Sequence, residues 1–169
     1  MLLGHRSKDV GGAYGLLGSM KGAGEAKKIF LQDTKTNLKT REKVRRIIHQ
    51  TLEADDASLA ALGGECVARI SKTNGLGVAI ATRLLTLIRP DKFISVNDGS
   101  RRGLSHLTGL PKTAVCMASE TNYRNLLDWL YQAPWYSSPE PQSDLEVTIW
   151  NIRAALIDSF VYGYGLKSQ

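Results

Sequence analysis

The sequence predicts an all-α domain. Apolar residues recur at offsets of three and four through most of the chain, and no alternating apolar–polar run of useful length interrupts them. Glycines, prolines and capping residues fall at helix-length intervals between those segments. The 169 residues fit one domain, large enough to bury a core without disulfide or metal staples. Three regions follow one another: a basic part (1–55), a glycine-turn region (65–108) and a set of aromatic C-terminal helices (120–163).

Taken in order, Thr40 is the expected N-cap of a basic helix with Val44, Ile47, Ile48 and Leu52 on one face. Asp56–Gly64 reads as a short helix with an aspartate start and a glycine stop, and a further helix spans Glu65 to Ser71. Beyond the glycine turn, Val78, Ala81, Leu84, Leu85 and Ile88 form a helical stripe that Pro90 ends. Lys92–Val96 has an extended pattern, and a helix capped by Asp98 or Ser100 then runs to Thr108. Tyr123, Leu126, Leu127, Leu130 and Tyr131 mark the next helix, which stops at Pro134. Pro134–Gln142 is a proline-rich loop whose Trp135 and Tyr136 pack on the core, Tyr136 and Tyr14 being the aromatics nearest to solvent. Ser143–Glu146 is a capping box. The helix it opens carries Leu145, Ile149, Ile152, Leu156 and Phe160 as one core-facing stripe.

The formal charge of +6 is concentrated in the first third, where residues 1–50 hold 11 Lys or Arg against 4 Asp or Glu. Such asymmetry favours a polyanionic partner. Cys66 and Cys116 stand far apart, so neither a structural zinc site nor a cluster is expected, and no metal or cofactor is implied. With no apolar run of membrane-spanning length and no signal-like start, the expectation is a cytoplasmic, nucleoid-associated protein that does not engage membranes. No Ser-His-Asp, HExxH or kinase-type set is present.

The stretch "NGLGVAIATRLL" (Asn74–Leu85) places Gly75 and Gly77 at the mouth of a helix. A dinucleotide-binding turn would need a preceding strand and a third small residue, where Ile80 stands here. A helical hairpin fits better. Its glycines bring backbone close to a ligand, and the amides of Gly77, Val78 and Ala79 lie unpaired at a helix N-terminus, where phosphate oxygens are favoured. Leu76 would tuck inward to lock the two helices, and Ala81 would keep them close. A second glycine pair, Gly22 and Gly24 beside Lys21, repeats the spacing and makes another candidate phosphate site.

This stretch resembles the helix-hairpin-helix motif, nearest to that of the base-excision DNA glycosylases that share it. There the hairpin reads L-P-G-h-G-x-x-T-A and is followed by V-D-x-x-V-x-R with the catalytic aspartate. Here "TNGLGVAIA" is followed by "FISVNDGSRRGL", so the aspartate position falls on Asn97 or Asp98 and the basic residue on Arg101 or Arg102. The resemblance covers residues 65–108 and implies a compact multi-helix fold built around the hairpin. Thr73 and Asn74 replace the usual Leu-Pro, and no lysine supports lyase chemistry.

The resulting expectation is a domain that grips double-stranded DNA, alone or beside a nuclease, in repair, restriction or defence. Its contacts would come from Asn74, Gly75, Leu76, Gly77, Val78 and Ala79, with electrostatic attachment through Lys39, Arg41, Lys43, Arg45, Arg46, Arg101 and Arg102. The resemblance also implies an alternative, a glycosylase using Asp98 at the rim of a base pocket between the hairpin and the aromatic half. A second alternative is a protein-interaction module whose glycines only make a tight turn.

Overall fold

The computed structural model describes residues 24–162. Among them the chain is helical, with α1 (Gly24–Leu31), α2 (Lys35–His49), α3 (Leu59–Ser71), α4 (Val78–Ile88), α5 (Arg101–Thr108), α6 (Lys112–Cys116), α7 (Glu120–Gln132), α8 (Asp144–Trp150) and α9 (Arg153–Tyr162). One hydrophobic cluster runs from Ala26 to Val161.

The centre is α3, which packs along α7 and folds back on α4. The pairing with α7 depends on glycine. A methyl group on Gly64 would overlap the Glu120 carbonyl, and one on Gly63 would lie 2.8 Å from both Leu127 and Phe93. The glycines expected to end a helix therefore lie inside α3, as the seat of α7. A single helix replaces the two predicted around them.

Between α4 and α5 the chain runs extended through the core, with Phe93, Ile94 and Val96 buried. It has no partner strand among the described residues, so side chains satisfy its backbone. The hydroxyls of Tyr136, Tyr131 and Tyr123 donate to the carbonyls of Asp91, Lys92 and Ile94, and the Thr86 hydroxyl lies between the Thr82 carbonyl at 2.9 Å and the Phe93 carbonyl at 3.2 Å. The Val96 amide donates to Thr82 Oγ1 at 2.9 Å.

At the start of α2 the cap is Thr34, which accepts from the Asn37 amide, and Thr40 lies within the helix. Asn37 Nδ2 donates to the Lys28 and Gln32 carbonyls, fastening the end of α1 to α2 and moving the helix start forward. Leu52 lies beyond the helix end and is exposed, while Val44, Ile47 and Ile48 are buried as expected. Helices α4 and α5 match their predicted extents, α7 carries the predicted stripe from Tyr123 to Tyr131, and α6 has no predicted counterpart.

The largest departure is at the C-terminal end. Ser143 caps α8 as expected, its hydroxyl donating to Glu146 Oε2 at 2.6 Å and accepting from the Glu146 amide. The helix then breaks at Asn151 and Ile152, and the Ala155 amide donates to the Pro90 carbonyl at 2.9 Å. That anchor, with close approaches of Val161 to Gly103 and of Tyr162 to Gly99, turns Ala154, Ile157 and Val161 inward. Leu145 and Phe160 of the predicted core stripe are 73% and 71% exposed. The loop aromatics also exchange roles: Tyr136 is buried and Trp135 exposed.

Candidate nucleic-acid interface

A short turn joins α3 to α4. After α3, the Leu76 amide closes on the Thr73 carbonyl at 2.9 Å. Gly75 adopts φ +82°, in the left-handed region, which lets the turn reverse. Leu76 and Ala81 are fully buried and join the two helices. Gly75 has a second reason to be glycine, since a Cβ there would lie 2.6 Å from Glu25 Cβ on α1. That close approach is made by protein.

Gly77 differs. Its φ of −78° and ψ of −178° suit any residue, and a Cβ there would meet nothing within 4 Å. It is exposed at the N-cap of α4, its carbonyl accepting from the Ile80 and Ala81 amides. The amides of Gly77, Val78 and Ala79 have no acceptor among the described residues. No acidic side chain occupies the first turn of α4, and Glu25 of α1, which packs against Gly75, pairs with Lys28 at 2.6 Å.

Two exposed side chains flank this turn, Lys72 before it and Asn74 within it. One turn back along α3, Arg69, paired with Glu65 at 2.9 Å, joins Lys39, Glu42, Lys43 and Arg46 of α2 around an open groove of about 530 Å³ that Leu38 and Ile47 also line. The arginines of α2 are not equivalent. Arg41 is 13% exposed and is held by Asp33 at 2.6 Å and by the Phe30 carbonyl, which removes it from the exposed row. Arg45 and Arg46 are exposed and share Glu42, whose carboxyl they hold below the usual range through hydrogen bonds. Lys39 and Lys43 are exposed. Lys72 and Arg69 were absent from the predicted contacts, although Lys72 directly adjoins the "TNGLG" turn.

Beyond the extended segment, Asn97 organises the start of α5. Its Oδ1 accepts from the Gly99 amide at 2.8 Å and the Ser100 amide at 3.1 Å. Its Nδ2 donates to Asp158 Oδ1 of α9 at 2.8 Å, and Asp158 also lies 3.7 Å from Arg83 of α4. Ser100 stands at the N-cap of α5 as expected, its Oγ accepting from the Asn97 amide, while the side-chain bonds to the loop amides come from Asn97 and not from Asp98. Asp98 is 95% exposed, lies 3.6 Å from Arg101 and lines neither this groove nor the cavity beside α9. Arg102 is exposed, and Arg101 leans toward Cys116 Sγ at 3.8 Å. Cys66 is enclosed in the core, where burial pushes its thiol up to about 12.

Lys21 and Gly22 lie outside the described residues, and Gly24 opens α1. Among the described residues no cluster of His, Cys, Asp or Glu could hold a metal ion, and no helix is long and apolar enough to cross a membrane. The chain matches no protein-family model, no curated protein and no solved structure.

Proposed function

We propose that this chain is a DNA-binding domain that takes a backbone phosphate at the N-terminus of α4. The observation that carries the reading is the open turn at Gly77, where three amides lack acceptors among the described residues beside an exposed Lys72. A phosphate oxygen supplies the missing acceptors and complements the helix dipole. Lys39, Lys43, Arg46 and Arg69 add screened attraction along the strand, and Arg102 contributes from α5. These contacts position DNA without reading its sequence, as backbone contacts do. A nuclease or other effector is the partner such a module serves in repair, restriction or defence. A base-releasing activity through Asp98 draws no support from its solvent-exposed position.

The test is duplex binding as a function of salt. Neutralising about four phosphates predicts a log–log slope of roughly −3.6 in the binding constant, a steep loss between about 50 and 200 mM. An affinity indifferent to salt over that range contradicts the reading.

A further inference from the structure

At the start of α9, Arg153 packs against two rings. Its guanidinium carbon lies 3.8 Å from the Trp150 ring centre and 4.4 Å from that of Tyr136. Nη1 donates to the Trp150 carbonyl at 2.7 Å, while Nε is buried without an acceptor. No carboxylate pairs with Arg153 among the described residues. The rings hold a flat cation in a fixed orientation, so little conformational freedom remains to be lost when an anion arrives.

Arg153 faces a cavity of about 350 Å³ that Lys92 also lines. Lys92 is 13% exposed, its ammonium 2.7 Å from Asp56, whose own side chain is mostly in solvent. One contact of three leaves donors to spare. The walls offer little else that is polar: Tyr131 and Tyr136 spend their hydroxyls on the Lys92 and Asp91 carbonyls, and Ser138 spends its own on the Trp135 carbonyl. The arrangement is two preorganised cations over aromatic carbon, with one exposed carboxylate at the mouth as competitor.

We propose that this cavity binds a small phosphate monoester, its dianion between Arg153 and Lys92 and its organic group against the aromatic wall. A dianion displaces a monocarboxylate from Lys92 more readily than a second carboxylate would, and the volume exceeds that of a bare phosphate. The site is separate from the hairpin and does not depend on DNA binding.

The test is titration of the full chain with phenyl phosphate and with inorganic phosphate, read by tryptophan fluorescence. Both probes saturate, phenyl phosphate at lower concentration, and Arg153→Gln weakens phenyl phosphate by roughly tenfold or more. Because that substitution disturbs the ring stack, Asp56→Asn supplies a second decision: removal of the exposed competitor strengthens binding by about threefold or more. Failure of the wild type to saturate, unchanged affinity in either cavity variant, or tighter binding of inorganic phosphate than of phenyl phosphate overturns the assignment.

Discussion

The Tyr123 hydroxyl donates to the Ile94 carbonyl at 2.8 Å inside the core, fixing α7 to the extended segment that leads into α5. Since that segment has no partner strand among the described residues, each such hydroxyl stands in for a ladder bond. Tyr123→Phe keeps the ring and strands the carbonyl. The expected loss is about 1–3 kcal/mol in denaturant unfolding, with the slope of the transition unchanged. Wild-type stability in that variant contradicts the role given to the hydroxyl.

The same phenols set an alkaline limit. Burial raises Tyr136 from 10.0 to about 12 and moves Tyr123 and Tyr131 in the same direction. The folded state therefore holds these protons more tightly than the unfolded chain. Their contribution is complete below pH 10 and is lost as the pH rises from there through 12. Unfolding followed by circular dichroism should coincide with tyrosinate absorbance in that window. Independent, non-cooperative tyrosine titration with the helices intact would contradict it.

The glycines should separate by what their missing Cβ would meet. Gly64→Ala drives a methyl into the Glu120 carbonyl and is expected to cost about 2–3 kcal/mol. Gly75→Ala is expected to cost about 1–3 kcal/mol, from its positive φ and from contact with Glu25. Gly63→Ala meets side chains, Leu127 and the Phe93 ring, rather than backbone and should fall below Gly64→Ala. Thermal or denaturant unfolding ranks them, and equal losses at 63 and 64 would overturn the reading of the α3–α7 contact.

Much of this architecture was legible because periodicity and packing agreed. The stripe from Val78 to Ile88, the stop at Pro90 and the inward Leu76 all follow from residues that have one favourable place to go. Gly63 and Gly64 were not legible as a helix seat, since a glycine that ends a helix and one that admits another helix look alike until the partner is known. The Leu145-to-Phe160 stripe misled for a related reason: regular spacing identifies a face only while the helix is continuous, and the break at Asn151–Ile152 hands the core to Ala154, Ile157 and Val161. At the candidate site, the hairpin amides were readable locally. The role of Asn97 was not, because its partner Asp158 lies 61 residues away on α9. Arg41 shows the limit of reading charge alone, since its guanidinium closes the α1–α2 turn.

Gly77→Asp tests the central claim most directly. The position is open and extended, and an aspartate there caps the amides of α4 with its own carboxylate. Helix stability should therefore stay level or rise by about 0.3–1 kcal/mol, while the phosphate site is both filled and made repulsive. The account predicts a variant at least as stable as wild type whose duplex affinity at low salt falls by roughly tenfold or more. A stable Gly77→Asp protein that binds duplex DNA as tightly as wild type, with the same salt slope, would contradict it.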